Sequence, residues 1–525
     1  MACMLRALIF LPLLALAQAQ TPYDVLIEGG RIVDGAGGAW YYADLAVQSD
    51  RIAAIGRLAG QPARVRIQAR GLTLTPGFVD IHSHGRRGIF DVPAAENYIR
   101  QGVTTMVEGN DGGSPIPLAP YLSKLAATRF SVNVALFAGH GSIRQEVMGL
   151  ENRRSTPEEI QKMKAITRQA MLDGAFGLST GLFYVPGNYA NTEEVIELAK
   201  VAGSLGGMHI SHMRNEADGV LDSVRETIRI GEEGGLPTQV THHKVVGKPN
   251  WGRSVETLKL VEEARARGVD VTIDQYPYTA SSTGTAALFP QWSQAGGSKS
   301  LIERLAAPEQ RVRIKSAIVE NILNNRGGGD PANVVMASCS FDPKLAGKSL
   351  AQITAERGLA VTVENAADVA IDIQTKGGCS AIYHAIAEPD LERILRFPFT
   401  MVASDGGIPV FGRDVPHPRS YGTFARVLGR YVRERKIIGL EEAVRRMSSF
   451  PASRLRLLDR GLLRPGMKAD IAVFDPARVI DRADFGKPHQ YAEGFRHVLV
   501  NGKPVMLDGK MTEERPGRVL YGPAH

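Results

Sequence analysis

Cysteine is scarce in this chain: three occur in 525 residues, at positions 3, 339 and 379. Cys3 falls in an N-terminal leader, so Cys339 and Cys379 remain; they allow one disulfide without requiring it and are too few for a cysteine metal cluster. Lys and Arg outnumber Asp and Glu, for a net charge of +7, but they are scattered. Without a basic stripe or an aromatic stacking motif, a nucleic-acid partner is disfavoured. Long apolar runs are missing after residue 20, and none approaches the ~20 residues a membrane-spanning helix needs. The mature chain is therefore expected to be soluble and to have no membrane contact.

The one short apolar run lies at the start. Arg6 precedes Ala7–Ala17, and Ala17-Gln18-Ala19 has the small-x-small form of a signal-peptidase site. Residues 1–19 read as a cleaved secretory signal, which places the protein outside the cytoplasm, in the periplasm. What remains has the composition of an ordinary globular enzyme, 44% apolar and 22% charged, with 56 Gly and 29 Pro for turns.

Both ends of the mature chain alternate apolar and polar residues between Gly and Asp punctuation, as in Val25–Gly30, Arg31–Gly35, Ala469–Pro476 and His497–Gly502. Residues 20–75 and 461–525 are expected to form one small β-sandwich domain together. Between them, strand-like segments alternate with helical ones. Strands are expected at Gly77–His82, Val103–Glu108, Val132–Ala138, Ala175–Ser179, Gly207–His212, Thr238–His242, Val269–Asp274 and Thr400–Ser404. Eight strands in alternation with helices predict an α/β, TIM-like (β/α)8 barrel over 76–460. The rhythm breaks at about 281–350, which reads as an inserted lid.

Histidines are also few, 12 in all, yet they gather at strand ends. His82 and His84 close the first strand two residues apart, so both imidazoles point the same way. His212 ends the fifth strand, and His242-His243 the sixth. Adjacent residues on a strand cannot both face inward; His242 is favoured as the ligand and His243 as structural. Asp405 follows the last strand. Barrel active sites lie at this C-terminal face. Neutral imidazoles with a carboxylate suit Zn²⁺ with one position open to water, whose pKa the metal lowers to about 7. Asp405 is then placed to take the water proton and pass it to a leaving nitrogen.

The run Thr75–His84 resembles the opening of amidohydrolase-superfamily barrels. Ser211–Glu216, Thr241–Lys244, Asp274–Tyr278, Ser404–Gly406 and His417–Phe424 resemble, in combination, the D-aminoacylase (N-acyl-D-amino-acid deacylase) family. The resemblance covers essentially the whole mature chain. It implies an amidohydrolase barrel with a split β-domain, a centre of one or two zinc ions, and hydrolysis of N-acyl-D-amino acids or of dipeptides with a C-terminal D-residue. It implies metal binding by His82, His84, His212 and His242, and catalysis by Asp405. It also implies that Lys244, Tyr276, Ser282 and Arg419 hold the substrate carboxylate, a task suited to a guanidinium fork and an ammonium point charge.

One segment departs from the family pattern. A cysteine ligand is usual after the second strand in a Gly-Asn-Cys-Gly setting, and here the chain reads Gly109-Asn110-Asp111-Gly112. Asp111 occupies the matching position, while Glu108 lies on the strand, where an uncompensated buried carboxylate is costly. Both are candidate ligands, and oxygen is a harder donor than thiolate. The fourth strand, Ala175–Thr180, carries no lysine, so the carboxylated-lysine design of hydantoinases and dihydroorotases is disfavoured. The alternatives are an amidohydrolase or deaminase of another small amide, and a secreted binding protein with a dead site. Retention of the ligand histidines and Asp405 argues against the second. A homo-oligomer is left open.

Overall fold

The computed structural model describes residues 22–525; the leader read at 1–19 lies outside the described residues. At the centre are parallel strands whose residues are buried along almost their whole length, as expected when helices cover one face of a barrel and side chains fill it. Phe78–Asp80, Val103–Glu108 and Asn133–Leu136 form one ladder. Ala138–Gly139, Gly177–Gly181, Met208–His212, Thr238–Val240, Val271–Gln275 and Thr400–Val402 form the other. The third strand bridges the two ladders, and its Phe137 N–H donates to Glu108 O at 2.8 Å.

The first and eighth strands close the ring by other means. The buried Asp80 carboxylate accepts from Ser404 N–H at 2.8 Å and from the Ser404 hydroxyl. Asp405 N–H donates to His82 O at 2.8 Å, and His84 N–H to Gly406 O at 2.6 Å. Closure thus ties together the two chain segments that carry His82, His84 and Asp405.

The surrounding helices begin and end where local chemistry dictates. Pro157–Asp173 starts with a reciprocal capping box between Thr156 and Glu159, and Thr192–Ser204 is capped by the Asn191 side chain. Val220–Gly234 ends at Gly235 with φ 65°, a conformation glycine adopts without strain.

The β-domain is one continuously hydrogen-bonded sheet of nine strands from both ends of the chain. Thr73–Pro76 pairs antiparallel with Ile471–Phe474 at the join. Its core gathers Ile27, Leu45, Ile52, Ile67, Leu74, Ile471 and Leu499. The last residues leave this sheet for the barrel: Gly517 N–H donates to Phe130 O, Leu520 N–H to Val134 O and Gly522 N–H to Gly174 O, at 2.8 to 2.9 Å.

The inserted unit is larger than the 281–350 expected from sequence. Its sheet places Ser380–Tyr383 between Ser281–Gly284 and Val334–Ser338, both antiparallel to it. The segment beyond 350 therefore supplies the central strand. Helix Val363–Thr375 supplies Val369, Ala370 and Ile373 to the same core as Ile314, Ile318 and Met336. Within this unit Cys339 and Cys379 form a disulfide, settling the pairing that two cysteines left open. No helix among the described residues is long and apolar enough to cross a membrane.

Candidate metal centre

At the C-terminal ends of the barrel strands lies a cavity of about 750 Å³. Asp111 reaches its floor because the loop after the second strand is folded very tightly. Gly109 and Gly112 have φ 80° and 73°; a Cβ at Gly109 would lie 2.3 Å from Phe137 O, and one at Gly112 2.8 Å from Gly181 N. Asp111 itself has φ 55°. Asp405 and His242 are also left-handed, with φ 50° and 34°. Non-glycine residues in this region are strained, and such strain collects where a side chain must be aimed at a site.

Two overlapping groups of donor atoms result. His82, His84, Asp111 and Asp405 offer atoms that lie within 4.8 Å of one another, and so do Asp111, His212 and His242. Asp111 is common to both. Its Oδ1 is 3.4 Å from His82 Nε2 and 3.4 Å from His242 Nε2; its Oδ2 is 3.3 Å from His84 Nε2 and 3.6 Å from His212 Nδ1. Asp405 Oδ1 stands 3.0 Å from His84 Nε2 and 3.6 Å from His82 Nε2.

The donor set suits a divalent cation. Both ring nitrogens of His82, both of His212, and Asp111 Oδ1 are buried without a hydrogen-bond partner, and such orphaned groups are costly unless something else satisfies them. Burial holds the His212 imidazole down at about 4, in the neutral form a metal requires. Burial and the Lys244 ammonium oppose charge on His242, but Asp111 and Glu216 push it up to about 9. The carboxylates thus draw positive charge into the cluster. Burial disfavours an ionised Asp405, yet the Arg419 guanidinium and His84 hold it well below the usual carboxylate range.

Glu108 belongs to neither group. Its Oε1 accepts from the Ser83 hydroxyl at 2.6 Å and from Gly85 N–H at 2.6 Å. The expense of a buried carboxylate, which made it a candidate ligand, is met by hydrogen bonds instead of a metal. His243 turns away, and its Nε2 lies 2.7 Å from Thr257 Oγ1.

The four expected carboxylate-binding residues cluster on one side. Arg419 Nη1 is 2.7 Å from Asp405 Oδ2, and its Nη2 donates to Ser282 O at 3.3 Å. Lys244 Nζ lies 2.5 Å from Glu216 Oε1. Lys244 and Arg419 stand 5.6 and 4.8 Å from the centre of the Tyr276 ring, whose buried hydroxyl has no partner. Both cations already have carboxylate partners, so an unpaired charge does not by itself argue for an anionic substrate. Glu216, however, is shared by Lys244 and by Arg326, 3.1 Å away, which leaves one positive charge in excess along this wall. Sequence reasoning assigned no role to Glu216 or Arg326. Glu216 carried a signal, being part of a family-like motif; Arg326 carried none.

Known proteins share this arrangement of chain. Residues 358–506 match the model described as "Amidohydrolase family". A D-aminoacylase of Alcaligenes xylosoxydans xylosoxydans is 38% identical over 522 residues, covering 95% of this chain and 98% of that protein. This chain belongs to the D-aminoacylase family of amidohydrolases. Among solved structures of the family, an N-acyl-D-glutamate deacylase from Bordetella bronchiseptica, complexed with zinc and a phosphonate mimic of the tetrahedral intermediate, superposes with a TM-score of 0.82. It is 36% identical and is matched over 96% of this chain and 100% of its own. A D-aminoacylase studied for its binuclear metal centre gives 0.81 at 37% identity, over 95% and 100%.

Proposed function

We propose that the protein is a zinc-dependent hydrolase that cleaves the amide bond of N-acyl-D-amino acids or of dipeptides ending in a D-residue. The observation that carries this reading is Asp111, one carboxylate shared by two histidine groups at the mouth of a barrel of this family. His82, His84, Asp111 and Asp405 would hold one ion, and Asp111, His212 and His242 a second. Zinc bound there supplies Lewis acidity and a water whose pKa is lowered to about 7.

The chain's own residues supply the rest. Asp405 Oδ1 faces the histidine cluster while Oδ2 is fixed by Arg419; it accepts the proton of the attacking water and returns it to the leaving nitrogen. Arg419, Lys244, the Tyr276 hydroxyl and Ser282 receive the substrate carboxylate and set the scissile bond against Asp405. Anchoring one end of the substrate in this way converts binding into orientation. The leader at 1–19 supports export to the periplasm, and the Cys339–Cys379 disulfide suits an oxidising compartment.

The test is a panel of N-acetyl-D-, N-acetyl-L- and dipeptide substrates with and without a free carboxylate. The purified enzyme is assayed, stripped with a chelator and reloaded with zinc. Turnover of D-substrates that disappears on stripping and returns with zinc is expected. Full activity in demonstrably metal-free protein, or equal turnover of amides lacking the carboxylate, would overturn it.

A further inference from the structure

Behind the second histidine pair lies a buried carboxylate that contacts both rings from the far side. Glu216 follows His212 by four residues and its side chain is 1% exposed. Its Oε2 is 3.7 Å from His212 Nε2 and its Oε1 is 3.3 Å from His242 Nδ1. These are the nitrogens opposite those that face Asp111. A carboxylate on the far nitrogen of a ligating histidine fixes the ring's orientation and raises its basicity. Here one carboxylate stands near two rings: it approaches His212 without a hydrogen bond, and Lys244 Nζ, 2.5 Å from Glu216 Oε1 and 2.7 Å from His242 Nδ1, links it to the second.

Glu216 is itself held by a residue from outside the barrel core. Arg326 follows helix Pro308–Asn324 of the inserted unit, and its Nη2 lies 3.1 Å from Glu216 Oε2. The guanidinium is buried, 4.2 Å from the centre of the Phe183 ring, and the Arg326 N–H donates to Asn321 Oδ1 at 3.2 Å. Arg326 lines the main cavity and, with Glu216, Leu288 and Phe289, a second one of about 310 Å³. Arg326 thus borders both cavities, and its pair with Glu216 is where the inserted unit meets the histidine cluster.

We propose that Glu216, clamped by Arg326, is a positioning residue that couples docking of the inserted unit to the orientation of His212 and His242, and so to metal retention by that pair with Asp111. The proposal rests on the metal-dependent reading above. Zinc affinity is measured by competition with a chromophoric chelator on stripped wild type, Glu216→Gln, Arg326→Met and Arg326→Lys, with calorimetry of the metal-free forms as a check on folding. Removing such an outer contact typically weakens metal binding about 10- to 100-fold; that loss is expected for at least one zinc equivalent in Glu216→Gln. A smaller loss in the same direction is expected in Arg326→Met, with recovery in Arg326→Lys. If Glu216→Gln does not fold, the two Arg326 variants carry the test. Wild-type zinc affinity in Arg326→Met, whatever its melting temperature, overturns the proposal. A wild type that binds no divalent ion overturns the metal reading itself.

Discussion

The two ends of the barrel treat buried polar groups in opposite ways. At the base, where the strands begin and the β-domain docks, Asp470 pairs with the buried Arg460, and its Oδ1 accepts from Asn501 N–H at 2.6 Å. The Asn501 side chain in turn donates to Asn133 Oδ1 at 2.8 Å, and that oxygen also accepts from Arg518 N–H at 3.1 Å. None of these side-chain atoms lacks a partner. At the mouth, His82, His212, Asp111 and Tyr276 keep buried atoms unsatisfied, and three non-glycine residues are left-handed. The contrast holds even within one strand. His209 is bonded through both ring nitrogens to Thr180 and Thr238, whereas His212 is not bonded through either. Burial of a histidine says little; among the described residues His82 and His212 leave both ring nitrogens unsatisfied, and both belong to the site.

The largest effect should come from the mouth. Asp405→Asn should lower kcat by about 10²–10⁴-fold per folded, metal-loaded molecule, although Arg419 also loses its carboxylate partner. Wild-type turnover in this variant would assign the proton transfers elsewhere. Asp470→Ala at the base should do the reverse. Stripping Arg460 of its buried partner should destabilise the fold by about 3–5 kcal/mol, with kcat per folded molecule unchanged. Chemical denaturation with parallel kinetics reads both, and a base variant that spared stability but halted turnover would erase the distinction between the ends.

A smaller loss is expected in the inserted unit. Cys339 and Cys379 are 40 residues apart in sequence. Cys339→Ser with Cys379→Ser should therefore reduce stability by about 2–4 kcal/mol through a freer unfolded loop, seen as a lower melting temperature that reductant no longer changes. Glu108 sharpens the comparison most, because it sits at the mouth yet is satisfied like the base. Glu108→Gln should cost about 1–3 kcal/mol through weakened bonds to Ser83 and Gly85 and leave metal content intact, whereas Asp111→Ala should reduce metal content. Mass spectrometry of both proteins decides it, and the opposite pattern would make Glu108 the ligand.

Much of this was legible in the chain. The barrel strands are short segments in which apolar residues are interleaved with small polar ones, set between helices, and histidines close the first, fifth and sixth of them. What could not be read was which of the two carboxylates, Glu108 or Asp111, faces the centre. A strand's period of two stops at its last residue, and beyond it His242 and Asp111 are aimed by left-handed turns that depend on contacts with Asp274, Phe137 and Gly181. Ser380–Tyr383 is short and pairs only with distant strands, so the inserted unit was cut too early. Arg326 lies 110 residues from the carboxylate it clamps, and no local pattern announces such a partner.

The β-domain join has a consequence in time. Thr75 and Ala472, hydrogen-bonded at the seam, are 397 residues apart, and the segment that ends at Gly522 lies against the barrel base. A ribosome adding about 5–20 residues per second leaves the early strands Tyr23–Ile32 to Thr73–Pro76 without their later neighbours for some tens of seconds. During that interval their open edge is a template for pairing with other chains. The first strands of the β-domain can complete their sheet only once Ile471–Phe474 and the strands after it have been made.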